Sequence, residues 1–383
     1  MRPPSAFPEL SWSGLVGAGS RGSWGTLARS NEVHLTHSGR GAIYQYLAAL
    51  KASGQLSARR NVVLVPSFHC PTVVDPALHA GFEVRFFAID GEMRIDAQDL
   101  LHKLDDTVAA VLFIRFFGFA EIDPQLVTAC RVAGAKVIED CCHSFLDANP
   151  LRIAYTGADA TVFSFWKTVP SLVGGGMLLA EGAEPLPLPA CTAVPSHDSK
   201  PRVRALARQL IERLTPPRKG PDDREEGPAV RKPADQAYPY DKAAASWEIP
   251  RSSKWILANA PLEDVVAARR RNYALMSATL TSSPHLIPLR KSLAADTVPW
   301  GFPVILQKRA ERDYRIRSRG VPVFTFGEVL HPLLFTQHPN EREMLETTTF
   351  LSNNVLGFAT HQGFSETQIA TFASAINGYI ATL

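Results

Sequence analysis

A chain of 383 residues is too long for one compact core and suits a large domain with a smaller one, at roughly 100–200 residues per domain. Apolar residues at 45% and charged residues at 20% match ordinary globular usage and exclude wholesale disorder. The formal charge is only +3, with Lys and Arg spread along the chain, so the composition calls for no nucleic-acid partner.

The opening stretch MRPPSAFPELSWSGLVG has no unbroken apolar run behind a basic start. No later segment reaches the roughly 18 apolar residues of a membrane span, so no membrane partner is expected and the chain reads as cytoplasmic. Between about residues 30 and 180, short apolar runs alternate with helix-like stretches, the pattern of a parallel sheet covered by helices on both faces. The predicted strands are Asn61–Val65, Val84–Phe87, Ala109–Ile114, Lys136–Ile138, Thr161–Phe165 and Met177–Ala180. Helical spacing of apolar residues predicts Ala42–Ala52, Val73–Ala80, Ala97–Leu104 and Pro124–Ala133.

Past Cys191 the composition changes. Leu214–Tyr240 is rich in Pro and charge, nearly free of large aliphatics, and reads as a mobile excursion. An amphipathic Leu262–Leu280 leads into Val304–Leu306, Pro322–Thr325 and a terminal helix at Glu366–Tyr379, a second and smaller α/β unit. The expected division is a large domain over 1–213, the excursion over 214–245 and a small domain over 246–383. The five cysteines lack zinc-type pairing, so they read as reduced thiols and no metal site is expected.

Three constellations carry chemistry. The apolar strand Val137-Ile138-Glu139 ends in Asp140, and ligands of open α/β sheets sit outside the carboxyl ends of strands. A carboxylate there meets a metal, a ribose hydroxyl or a protonated pyridine nitrogen, or it merely caps the next turn; Glu139 points to the opposite face. Lys167 follows the Phe163-Ser164-Phe165 strand in apolar and aromatic surroundings. Desolvation there disfavours an ammonium and frees an amine to attack a carbonyl, although most lysines simply keep their heads in water. Gly174-Gly175-Gly176 lack nucleotide-loop spacing and read as a tight turn into the next strand. Ser38-Gly39-Arg40-Gly41-Ala42 opens a helix, whose free N–H groups suit an anion such as phosphate, or is a plain N-cap at Ser38.

The order and spacing of these constellations resemble the DegT-type family of pyridoxal 5'-phosphate (PLP)-dependent sugar aminotransferases. The resemblance runs from about Leu35 to Ala180 and more loosely from about Trp300 onward. It implies fold type I, a large domain with a mostly parallel sheet between helices and a smaller C-terminal α/β domain. It also implies a homodimer with composite sites.

By this resemblance Ser38, Gly39, Arg40 and Gly41 hold the phosphate, with Arg40 where Thr is usual. Val65-Pro66-Ser67-Phe68-His69-Cys70 is similar to the family's Pro-Ser-Phe-Thr-Phe segment. Cys70 takes the place of the aromatic that lies on the cofactor ring, so His69 or Phe68 is expected to stack instead. Ala80-Gly81-Phe82-Glu83-Val84, Ile89-Asp90 and Phe116-Phe117-Gly118 match the framework. Asp140 falls on the pyridine-binding aspartate, His143 on a residue near the cofactor, and Ser164 on the serine contacting the phosphate side.

The family lysine stands two residues further beyond Phe-Ser-Phe than Lys167. Even so, Gly175 and Gly176 keep their distance of eight and nine residues from it, and no other lysine lies between Asp140 and those glycines. Lys167 is therefore the residue expected to carry PLP as a Schiff base. The Gly-x-Asn-Tyr-Arg-Met motif that reaches the neighbouring subunit is missing, and Arg251 or Ser252 occupies its region.

The implied reaction moves an amino group from a small-molecule donor, glutamate or another common amino acid. The acceptor is a keto sugar nucleotide or a related secondary-metabolite ketone. The alternatives are a dehydratase of the same family, which replaces the lysine with histidine, and a cofactor-binding regulatory protein that has lost turnover.

Overall fold

The structure is a computed structural model; it describes residues 4–9, 24, 33–119, 122–149, 151–154, 157–171, 173–181, 184–195, 204, 207 and 239–383. The expected excursion at Leu214–Tyr240 lies outside the described residues, apart from Pro239 and Tyr240.

In chain order, β1 (Val33–Thr36) leads into helix α1 (Gly39–Ala52), then β2 (Val62–Pro66), α2 (Val74–His79), β3 (Glu83–Phe87), α3 (Ala97–Lys103) and β4 (Val108–Ile114). Next come α4 (Pro124–Val132), β5 (Lys136–Asp140), the hairpin β6 (Leu146–Ala148) with β7 (Leu151–Ile153), then β8 (Ala160–Ser164) and β9 (Gly175–Leu179). Seven of these strands form one sheet in the order β1-β9-β8-β5-β4-β2-β3. Only β9 runs against the rest, pairing antiparallel with both β1 and β8.

The sheet forms here because β2 and β4 are continuous apolar runs, and these and β8 are buried along their whole length, as strands covered on both faces must be. Each fully buried Val, Leu or Phe contributes roughly 1.5–3 kcal/mol. The predicted strands appear with ends shifted by one or two residues. Of the predicted turn, Gly174 alone, at φ 140°, makes the bend, while Gly175 and Gly176 lie inside β9.

The smaller domain follows α5 (Arg251–Asn259) and the long α6 (Leu262–Thr279). Its strands are β10 (Leu286–Pro288), β11 (Phe302–Leu306), β12 (Val323–Phe324) and β13 (Val355–Phe358), with helices α7 (Arg309–Arg317), α8 (Arg342–Asn354) and α9 (Glu366–Ile380). The four strands form a separate antiparallel sheet in the order β10-β11-β13-β12. Helix α9 starts on a capping box between Ser365 and Gln368. No helix among the described residues is long and apolar enough to cross a membrane.

Candidate active site

The carboxyl ends of β5 and β8 and the start of α1 face a cavity of about 390 Å³. Of the residues singled out from the sequence, it is lined by Ser38, Gly39, Arg40, Cys70, Asp140, His143, Ser164 and Lys167. Gly41 and His69 do not line it.

Asp140 ends β5 and is 5% exposed. Its Oδ1 accepts the backbone N–H of Cys142 at 2.8 Å. Burial raises the Asp140 carboxyl above the usual carboxylate range, against the opposing pull of Cys142 and the Lys167 charge. Glu139 is absent from the cavity wall; it joins Arg115, which also donates from Nη1 to Asp147 at 2.9 Å. Arg115 in turn gives its backbone N–H to the Asp140 carbonyl at 3.0 Å, so this buried ion cluster braces the strand end that presents Asp140.

Lys167 closes a single 3-10 turn, Phe165–Lys167, directly after β8. The Phe165 N–H binds the Gly174 carbonyl at 2.9 Å, which ties this turn to the start of β9. Lys167 Nζ stands 4.9 Å from the ring centre of Trp300 and 5.9 Å from that of Trp166. Both distances are within cation–π range.

At the start of α1, Ser38 is extended and its Oγ accepts the N–H of Gly41 at 3.1 Å. The helix opening is pressed onto the sheet. A Cβ on Gly39 would meet Cys142 Sγ at 2.4 Å, and one on Gly175 would meet the Ser38 backbone at 2.3 Å. Only glycine at both places lets the turn approach Cys142, β8 and β9 this closely, and the first-turn amides there lack helical acceptors. Arg40 reaches outward, donating from Nη1 to the Pro239 carbonyl at 3.0 Å.

His143 is stacked on Trp300 with ring centres 4.2 Å apart, and its Nδ1 accepts the N–H of Phe117 at 2.9 Å. Burial, with the Lys167 charge, pushes its pKa well below the ordinary histidine value. The ring is therefore neutral, with its proton on Nε2.

His69 departs from the expected stacking role. It is completely buried, lies against Phe86 at 5.1 Å, donates from Nδ1 to the Ser67 carbonyl at 2.8 Å and accepts the His331 N–H on Nε2 at 3.1 Å. Nδ1 is thus spent within its own segment and Nε2 on a loop of the C-terminal half. Phe68 is likewise buried among Phe116 and Phe326, away from the cavity wall. Arg251 and Ser252 open α5 and do not line the cavity.

Three contributors escape sequence reasoning. Phe7 lies on the cavity wall, edge-on to Trp166 at 4.9 Å, in a Pro-rich opening that carries no periodic signal. Trp300 packs on His143 from a loop just ahead of β11. Arg269 is fully buried and donates to the Lys167 carbonyl at 2.7 Å. The Arg269-Arg270-Arg271 run could have flagged it only as an unusual basic cluster on an amphipathic helix.

A sequence profile of the DegT/DnrJ/EryC1/StrS aminotransferase family matches residues 27–185, the stretch that builds most of this cavity. A GDP-perosamine synthase of Vibrio cholerae is 28% identical over 145 residues, which cover 37% of this chain and 39% of that protein. The chain thus matches well under half the length of this curated relative.

Solved structures extend the likeness in fold to nearly the whole chain. The aminotransferase PseC of Helicobacter pylori, involved in pseudaminic acid biosynthesis, superposes with a TM-score of 0.65 at 12% identity, over 95% of this chain and 92% of that one. A GDP-4-keto-6-deoxymannose-3-dehydratase, solved with a trapped PLP-glutamate geminal diamine, superposes with a TM-score of 0.62 at 18% identity, over 92% and 90% of the two chains. The fold is fold type I of the PLP-dependent transferases.

PLP is the cofactor that DegT-type enzymes use, and the residues of this cavity fit it. A buried carboxylate whose charge is disfavoured by burial is suited to a protonated ring nitrogen, a lysine amine shares its cavity, and a glycine-tight helix opening faces the same space. No group of three His, Cys, Asp or Glu among the described residues is placed to hold a metal.

Proposed function

We propose that the chain is a PLP-dependent aminotransferase that takes an amino group from glutamate or another amino acid. It delivers that group to a keto group on a sugar nucleotide or a related secondary-metabolite ketone. The observation carrying this reading is the presence of Lys167 and Asp140 in one cavity, at the ends of adjacent strands β8 and β5.

When bound, PLP supplies the electron sink for charge left on the substrate carbon as its proton departs. Asp140 would hold the proton on the ring nitrogen. Lys167 would tether the cofactor aldehyde covalently, and its Nζ, once released by the incoming amine, would move the proton at the substrate carbon. Ser38, Gly39, Arg40 and Ser164 would take the phosphate, and neutral His143 would lie beside the ring with Trp300 behind it. The aromatic wall of Phe7, Trp166 and Trp300 would exclude water from Nζ.

The working unit is proposed to be a cytoplasmic homodimer, divided into a PLP-binding domain over 1–213, a Pro- and charge-rich excursion over 214–245 and a C-terminal domain over 246–383. A dehydratase is the second reading, favoured by the fold likeness to GDP-4-keto-6-deoxymannose-3-dehydratase. The presence of Lys167 speaks for transamination.

The deciding experiment is single turnover with excess glutamate. An aminotransferase converts the visible absorbance to that of pyridoxamine phosphate with one equivalent of 2-oxoglutarate, and 15N from glutamate then appears in the amine of an accepted ketone. Loss of the label as ammonia would favour the dehydratase, and no spectral change with any amino donor would leave a cofactor-binding protein without turnover.

A further inference from the structure

Arg269 sits in the middle of α6 with no exposed surface, and each N–H of its guanidinium has an acceptor. Nε donates to Gln362 Oε1 at 2.9 Å, and Nη1 to the carbonyls of Pro299 and Trp300 at 3.1 and 3.3 Å. Nη2 donates to the carbonyls of Lys167 and Thr168 at 2.7 and 3.5 Å. Gln362 completes the ring by donating from Nε2 to the Thr168 carbonyl at 2.8 Å. All these acceptors are neutral, and none is a carboxylate. Burial lowers the Arg269 pKa to about 9, which still leaves a cation at neutral pH.

A buried, unpaired charge is an expensive way to join a helix to a loop, and an apolar side chain would do so without the desolvation penalty. What a guanidinium adds is a rigid planar fork that binds several carbonyls at fixed mutual angles. The carbonyls gripped here belong to the residue bearing the cavity amine and to the residue whose ring lies 4.9 Å from that amine. We propose that Arg269 is a positioning residue: it locks the Lys167 turn and the Trp300 backbone to each other and so fixes where Lys167 Nζ stands over the Trp300 ring. This rests on the reading of Lys167 as the residue that holds the cofactor.

The test compares Arg269→Met and Arg269→Lys with a control, Arg271→Met, whose side chain is exposed and pairs with Glu366 at 3.0 Å. In the cofactor-free chain, amide exchange of peptides covering residues 165–171 should accelerate about tenfold in both Arg269 variants, while β4 and β5 keep their protection. The control should match the parent. In PLP-loaded protein, both Arg269 variants should shift the pH midpoint of the visible absorbance and slow borohydride fixation about tenfold.

Lysine keeps a charge but not a fork, so full rescue by Arg269→Lys overturns the proposal. Unchanged exchange at residues 165–171 overturns it too, as does loosening spread evenly over all peptides, which marks a merely structural rivet. Should the methionine variant not fold, the lysine variant is read by the same criteria. If the unsubstituted chain takes no borohydride label on Lys167, the functional reading fails, and the exchange measurement still decides whether Arg269 holds the turn.

Discussion

Phe117 occupies the left-handed region at φ 55° and donates its N–H to His143 Nδ1 at 2.9 Å. The same residue accepts the Trp300 N–H on its carbonyl at 2.8 Å. A bulky side chain held at positive φ costs about 1–3 kcal/mol and persists only where its surroundings over-determine it. Here the strained peptide serves the two rings stacked at the back of the cavity. His143→Phe keeps the ring and removes the acceptor, leaving a buried N–H unsatisfied. Urea unfolding of the cofactor-free variant should show a loss of about 1–3 kcal/mol, and His143→Ala should lose the ring packing as well.

Lys167→Ala should abolish both the visible absorbance with PLP and the borohydride label, and slow the glutamate half-reaction by roughly 10²–10⁴. Peptide mapping checks the label. A pyridoxyl group found on Lys136 or Lys254 would refute the assignment of this site.

Asp140→Asn should act with opposite signs on fold and cofactor. Burial raises the Asp140 pKa, so its carboxyl favours the folded state when protonated, and that contribution fades as pH rises above the unfolded carboxylate value. At neutral pH the asparagine variant without cofactor should therefore be at least as stable as the parent in thermal melts. PLP should bind it more weakly by about 1.5–3 kcal/mol, the worth of a hydrogen bond to a charged group, as read by equilibrium dialysis.

His69 gives a pH dependence that involves no catalytic group. Its pKa falls from 6.5 to about 4, chiefly through burial. Below about pH 6.5 the unfolded chain takes up a proton that the folded chain refuses, so stability should drop between pH 6.5 and 4 by about 3 kcal/mol. Melting curves across that range should show the drop, and His69→Gln should lessen it, what remains coming from His143, which burial also holds neutral.

Gly175→Ala should damage the site through the backbone alone. Its new Cβ would stand 2.3 Å from Ser38 C and 2.5 Å from the Gly39 N, which no rotamer relieves. Weaker PLP binding and a lower melting temperature should appear together, whereas Gly91→Ala, in open space, should leave both unchanged.

The sheet was legible wherever burial on both faces demanded an unbroken apolar run, as in β2 and β4. β1, with the sequence VHLT, escaped because it is four residues long and only its last residue is fully buried, so no continuous apolar run marks it. β13 follows α8 with no intervening turn residue, so nothing in the sequence marks the switch. His69 was misplaced because a resemblance fixes sequence position, while the tilt of the segment that sends its ring into the domain junction depends on His331, far along the chain. Arg269 was invisible for a different reason: its partners are mostly main-chain carbonyls, and every residue type has one.

The wall that Phe7 completes sets an order of assembly. Besides Trp166 and Trp300, the opening segment is held by His361, which binds the Ser5 carbonyl at 3.1 Å across 356 residues of sequence. Ser5 and Phe7 are made long before Trp300 and His361, against which they dock. Residues 5–7 must therefore wait, undocked, until His361 has been made. The large sheet can form from residues 33–179 alone, but the wall of Phe7, Trp166 and Trp300 cannot, and a nascent chain released before Trp300 is made would carry Lys167 in a site without that wall.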